Sequence, residues 1–160
     1  VGAVYDSVWE VVDAVNSSPE LDIKFPDHDK QIKIAQGFKN KSGAGFDVCV
    51  GCLDGMLIWT DKPSKTYCKE AKIGDKLFFC GRKSKFGLNL QALCDDKLRF
   101  RWVDVRLSAS ASDYIAWTTS YFPEQITLEN LICEGFALFG DNAYVTGDFM
   151  VIPFRGTCAE

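Results

Sequence analysis

No apolar stretch in this chain exceeds a few residues, far short of the roughly 20 needed to cross a bilayer, so no transmembrane helix is expected. The start, Val1-Gly2-Ala3-Val4-Tyr5-Asp6, has no initiator Met, no basic n-region and no apolar h-region. It reads as neither a signal peptide nor a natural N-terminus, and the chain reads as a fragment. Histidine occurs once, at His28, without a partner that would make it a catalytic base. Neither a G-x-S-x-G elbow nor a G-x-x-x-x-G-K-[ST] loop occurs, which leaves a serine hydrolase and a P-loop nucleotide enzyme unsupported. Excess positive charge is missing too. A net charge of -4 argues against a broad electropositive face for nucleic acid, because nonspecific affinity comes mostly from Lys and Arg neutralising phosphates. A metal-mediated nucleic-acid site stays open, since carboxylates gathered to hold cations leave a site acidic until the metal binds. A basic gripping surface would then sit in another domain or partner.

The 7 cysteines are an odd number, scattered through apolar segments, a pattern that reads as reduced and intracellular. Cys49-Val-Gly-Cys52 has zinc-knuckle spacing but no second pair, and the segment reads better as a buried strand. With 160 residues, 47% of them hydrophobic, the chain suits one domain around one core. Residues 1–45 read as a helical lead-in and loop, with Val8, Trp9, Val11, Val12 and Val15 at helical spacing. From residue 46 the pattern changes. Phe46 to Trp59 reads as a strand buried on both faces, because its apolar run is nearly continuous. A charged surface loop follows over 61–76, then two strands, 86–94 and 98–107, joined by Asp95-Asp96-Lys97 as a hairpin turn. Ser110 and Asp113 stand in capping-box relation, Tyr114, Trp117, Thr118 and Tyr121 share a helical face, and Pro123 marks its stop. Residues 135–139 make a last short strand that ends in Gly140-Asp141-Asn142. The order is a helical lead-in followed by β-β-β-α-β.

That order brings two acids together. A right-handed crossover lets the fourth strand lie beside the first and parallel to it. Asp54 and Asp141, each at the end of an apolar run, then face each other across one strand spacing of roughly 4.8 Å. Two carboxylates that close repel unless a cation joins them, and Mg²⁺ takes one or two carboxylates with water and substrate phosphate. Gly55 and Gly140 would leave room for a nucleic-acid backbone. The plainer alternative is a turn at Asp54-Gly55 and an Asx-capped loop at Gly140-Asp141-Asn142. Against it, Asp54 lies inside a run that continues through Met56-Leu57-Ile58-Trp59, where a turn fits poorly and a buried Asp needs a partner. Asn89 and Gln91 point to one face of their strand and either line the site or satisfy buried polar groups. Ser112 and Asp113 read as a helix cap, and Arg82-Lys83-Ser84-Lys85 as a solvated loop.

At these residues the chain resembles the DDE-superfamily endonucleases of the PIF/Harbinger transposase type. The resemblance rests on Ser42-Gly-Ala-Gly-Phe46, Gly51-Cys-Leu-Asp54-Gly55, Lys85-Phe-Gly-Leu-Asn89-Leu-Gln91-Ala-Leu-Cys-Asp95, Ser112-Asp113-Tyr114 and Phe139-Gly140-Asp141-Asn142-Ala143-Tyr144, in the family's order. It implies an α/β (α+β) RNase H-like mixed sheet and two-metal phosphodiester chemistry on DNA. It implies Asp54 as first and Asp141 as second catalytic acid and metal ligand, Mg²⁺ or Mn²⁺ as cofactor, and a nuclear location. DNA and a separate DNA-binding protein or domain are the implied partners, and no membrane. Gly55, Asn89, Gln91 and Asn142 stand as substrate-proximal candidates. The family's third acid falls on a helix a few tens of residues past the second. Here Asp148 comes too soon and Glu160 is the last residue, so neither is assigned, and the domain is expected to end before its closing helices. The alternatives are an inactive transposase-derived remnant that serves as an interaction module, and an unrelated α/β binding domain.

Overall fold

A computed structural model describes residues 2–153. Helix α1 (Gly2–Asn16) forms where the valine spacing predicts it, yet buries none of its residues. Helix α2 (His28–Lys41) begins at Asp27, whose side chain accepts from the Lys30 N–H, and ends with Lys39 and Lys41 in its last turn, where cations suit the helix dipole. It buries Gln31, Ile34 and Ala35. The Gln31 amide donates to the carbonyls of Pro26 and Leu131 and accepts from the Cys133 N–H, tying α2 to the segment that leads into the last part of the sheet.

Strand β1 (Cys49–Thr60) runs through Asp54-Gly55 without a turn. Helix α3 (Lys65–Glu70) and the two-residue strand β2 (Phe79–Cys80) follow, then β3 (Lys85–Cys94) and β4 (Phe100–Ser108). Helices α4 (Asp113–Thr118) and α5 (Phe122–Leu128) cross over to β5 (Ala137–Gly140), and β6 (Met150–Val151) closes the order. These strands form one 6-stranded sheet in the order β2-β3-β1-β5-β6, with β4 also paired to β3. β1 and β3 are antiparallel from Cys52 opposite Cys94 to Thr60 opposite Phe86, and β1 and β5 are parallel, with Leu53 opposite Gly140. The mixed α/β architecture and the return of the crossover to the first strand agree with the sequence reading.

Four local expectations change. β1 is buried only in its first half, at Cys49, Val50, Gly51 and Leu53, and its far end is exposed. The reason is length: β5 has four residues and stops beside Leu53, so the second half of β1 is paired on one edge alone. The charged stretch after β1 contains α3, capped by Ser64 on the Tyr67 N–H. The cap of α4 is Ser112, accepting from the Ile115 N–H, and not a Ser110–Asp113 box. Pro123 does not stop the helix before it but sits in the first turn of α5, where a missing N–H is tolerated.

The core lies between the sheet and the crossover. Val50, Leu53, Leu93, Leu138 and Met150 from the strands meet Trp117, Phe122 and Ile126 from α4 and α5. Trp102 of β4 stacks on Phe122 at 4.9 Å and meets Trp117 edge-on at 5.7 Å. Burial of side chains this size contributes about 1.5–3 kcal/mol each, so this cluster holds the crossover to the sheet and thereby sets where β5 ends.

Candidate metal centre

Leu53 of β1 pairs in parallel with Gly140, the last residue of β5, and the next residue on each side is an acid, Asp54 within β1 and Asp141 just past the end of β5. Both side chains are exposed, so Asp54 is no buried acid in need of a partner; it occupies the solvent side of the alternation that buries Leu53. Each carboxylate is steered by its own backbone. Asp54 Oδ1 accepts from the Gly55 N–H at 2.7 Å, and Asp141 Oδ1 accepts from the Ala143 N–H at 2.8 Å in an Asx turn. Oδ2 of either acid has no hydrogen-bond partner among the described residues.

Behind the acids lies a buried polar network. Gln91, 1% exposed, is its centre. Its Nε2 donates to Asn89 Oδ1 at 2.8 Å and to Asp113 Oδ1 at 3.0 Å, and its Oε1 accepts from the Tyr144 hydroxyl at 2.6 Å. Asn89 Nδ2 donates to Asp113 Oδ1 at 3.1 Å and to the Ala111 carbonyl at 3.2 Å. No buried side-chain polar atom among the described residues is left without a partner. The network therefore ties three pieces of chain together: β3, the start of α4, and the turn that carries Asp141. Burial pushes the Tyr144 phenol above its ordinary value, and the nearby charges of Asp113, Asp54 and Asp141 push it the same way. Tyr144 thus keeps its proton and remains a donor to Gln91 at neutral pH.

The glycines do a different job from the expected one. A Cβ on Gly55 would collide with Asp113 Oδ1 and lie 2.6 Å from Gln91 Nε2, and one on Gly140 would lie 2.8 Å from Tyr144 Cδ2. Their open sides are taken up by the protein's own network, so they admit Asp113 and Tyr144 and not a nucleic-acid backbone. Of the substrate-proximal candidates, Asn89 and Gln91 are buried network members and Asn142 is exposed in the turn after β5. Gly55, Asn89 and Asp113 line a cleft of about 480 Å³, closed on other sides by Ala143 and by Phe79 to Arg82. Sequence reasoning makes Asp113 part of a helix cap and gives Tyr144 no role of its own. The available signal is the glycine after Asp54, whose missing side chain must be filled by something polar to match Gln91.

Tyr144→Phe removes the hydroxyl that donates to Gln91 Oε1, which is then buried and without a partner among the described residues. A loss of about 1–3 kcal/mol in urea unfolding is expected. An unchanged midpoint would show that Gln91 finds another donor and that the network does not hold the Asp141 turn.

A mixed sheet whose first strand is paired in parallel with the strand that follows a crossover helix pair, with an acid next after the last paired residue on each, is an RNase H-like arrangement. A family model described as DDE superfamily endonuclease matches residues 53–160, and the chain belongs to that family. The match opens one residue before Asp54 and contains Asp113, Asp141 and the whole network. No curated protein and no solved structure matches the chain.

Proposed function

We propose that this chain is the catalytic core of a metal-dependent DNA endonuclease or transposase of the PIF/Harbinger type, which cleaves or transfers phosphodiester bonds by a two-metal mechanism. The observation that carries the proposal is the register of β1 against β5, whose last pair, Leu53 with Gly140, is followed on each side by an acid, Asp54 and Asp141. The donor set fits hard divalent cations. Both groups are exposed carboxylates with one oxygen steered by backbone and the other without a hydrogen-bond partner among the described residues, where no Cys or His completes a group of three with them. Such a set suits Mg²⁺ or Mn²⁺, which take oxygen ligands and keep waters and substrate phosphate, better than Zn²⁺. When bound, the ions supply charge stabilisation and an activated water or 3′-hydroxyl.

The chain's own residues do the positioning. Asp54, from within β1, and Asp141, just past the end of β5, would hold the cations, Gln91 and Tyr144 fix the turn that presents Asp141, and Asn89 with Asp113 lines a nearby cleft. Among the described residues no group of three His, Cys, Asp or Glu side chains surrounds a common point, so two ligands are assigned to this stretch. The substrate is DNA, the place of action the nucleus, and a separate DNA-binding protein or domain supplies target choice.

Calorimetric titration with Mn²⁺ tests the metal assignment. Asp54→Asn is expected to weaken binding by at least about tenfold, in the range or above that for loss of an outer-shell partner. Unchanged Mn²⁺ binding together with unchanged DNA cleavage would sink the proposal.

One observation favours a second reading, an inactive transposase-derived remnant acting as an interaction module. Helix α1 leaves Val4, Val8, Trp9 and Val15 exposed along its length, more apolar surface than an isolated helix normally shows to water. DNA nicking in Mg²⁺ by the full chain separates the two readings.

A further inference from the structure

Cys52 is the only exposed cysteine among the described residues; Cys49 and Cys80 are buried, and Cys68, Cys94 and Cys133 are half-buried. All of them are free thiols. The exposed thiol lies against a buried one, with Cys52 Sγ 3.9 Å from Cys49 Sγ and Cys49 only 3% exposed.

A uniform strand forbids such a contact. Residues three apart point to opposite faces and are separated by roughly 10 Å at about 3.3 Å per residue. Here the register of β1 against β5 shifts: Cys49 stands opposite Ala137 and Gly51 opposite Leu138, so Val50 is an extra residue on β1. Val50 is fully buried in the core cluster with Leu53 and Leu138, and that packing holds the irregularity in place. The extra residue lets Cys49 and Cys52 meet on one side of the strand. Beyond it the pairing is regular, with Cys52 opposite Cys94 and Asp54 opposite Ala92, so Asp54 is the next side chain on the Cys52 side.

A disulfide needs sulfurs about 2.0 Å apart, so this pair has to close by roughly 1.9 Å. The difference in exposure sets the order of events, because an external reagent reaches Cys52 and only Cys52 reaches Cys49. We propose that Cys49 and Cys52 form a reversible dithiol–disulfide site, oxidised by a low-molecular-weight disulfide of the glutathione class. The Cys52 sulfur, its proton lost to solvent, attacks one sulfur of the glutathione disulfide, forms a mixed disulfide and releases one glutathione thiolate. The Cys49 sulfur, deprotonated in turn, then attacks Cys52 Sγ, forms the Cys49–Cys52 bond and releases the second glutathione thiolate. The two protein thiols lose two electrons and two protons, and the glutathione disulfide takes them up as two thiols. Disulfides in reducing compartments are as a rule transient and redox-sensing, which suits a pair held open as thiols at rest. Bond formation is independent of the nuclease reading.

The test incubates the full chain with glutathione disulfide, quenches with acid, blocks remaining thiols with N-ethylmaleimide and maps the peptides by mass spectrometry. The expected product is a Cys49–Cys52 bond that dithiothreitol reverses. It should form at least about tenfold faster than glutathione attaches to Cys68, Cys80, Cys94 or Cys133, since access governs thiol reactivity. In Cys49→Ala the reaction should stop at glutathione bound to Cys52, and in Cys52→Ala residue Cys49 should remain a free thiol. Circular dichroism checks that both variants fold, and the map of the unaltered chain decides the matter without them. Glutathione that persists on Cys52 of the unaltered chain, a bond from Cys52 to Cys94, or no reaction at Cys52 would each overturn the proposal.

Discussion

Asp141→Asn is expected to lower divalent-dependent DNA cleavage by at least about a thousandfold and to leave the urea unfolding midpoint unchanged or slightly raised. The activity side follows from chemistry: an amide is neutral and a poor ligand for a hard cation, and the loss of a direct ligand exceeds the tenfold to hundredfold typical of outer-shell changes. The stability side follows from geometry. Asp141 is exposed, and its side chain's one hydrogen bond among the described residues, Oδ1 accepting from the Ala143 N–H, can be made equally well by the asparagine oxygen. Substitution also removes one of the two negative charges that follow the last β1–β5 pair, and relief of like-charge repulsion favours the fold. On the proposed metal-ligand role, function and stability are expected to separate at this residue, as where a site is kept for its chemistry. Turnover of a DNA substrate and a denaturation curve on the same preparation check both halves. A variant that retains cleavage, or one that loses well over 1 kcal/mol of stability, would show that Asp141 serves the turn and not the metal.

The same residues show how far the sequence can be read. Asp54 is legible as a strand residue because apolar side chains continue on both sides of it, and the parallel return of β5 follows from the handedness of crossovers. Those two inferences place the acid pair. The burial of β1 is not legible, because its exposure depends on how short β5 is, a property of the partner strand and not of residues 49–60. Pro123 signals a break without saying on which side the helix lies, and here the helix lies after it. The filling of Gly55 by Asp113 and of Gly140 by Tyr144 joins residues separated along the chain, and a single sequence contains no local mark of such a meeting. Residues 61–85 hold eight Lys and Arg against three acids, a local excess that the net charge of -4 hides, and which of these cations meet a carboxylate, as Lys62 meets Asp75, is a property of the folded chain.

Asp95→Ala is expected to destabilise the protein by about 3–5 kcal/mol, the range for breaking a buried ion pair by removing one member. The Asp95 side chain is fully buried at the β3–β4 turn and its charge is met from every side. Oδ1 accepts from the N–H groups of Lys97 at 2.8 Å and Arg99 at 3.0 Å, and Oδ2 accepts from Arg99 Nε at 2.9 Å and from Arg101 at 2.7 Å. Burial alone would raise its pKa, but these bonds outweigh burial and hold the carboxyl below the usual carboxylate range. A depressed folded-state pKa means that the stabilisation is present above the unfolded value, about 4, and is lost as pH falls through the lower folded value. The difference between wild type and Asp95→Ala in unfolding free energy should accordingly be full at neutral pH and shrink below about pH 4. A difference independent of pH would mean that the aspartate acts only by its size and its hydrogen bonds. The turn also matters beyond itself. It sets the register in which Gln91 stands opposite Asp104 and Ala92 opposite Val103, and a slip of one residue would turn the β4 side chains to the other face of the sheet, among them Trp102, which packs on Trp117 of the helix that carries Asp113. Loss of the Asp95 cluster, remote in sequence from Asp141, should therefore weaken the network that presents Asp141, and DNA cleavage by Asp95→Ala should fall even under conditions where the variant remains folded.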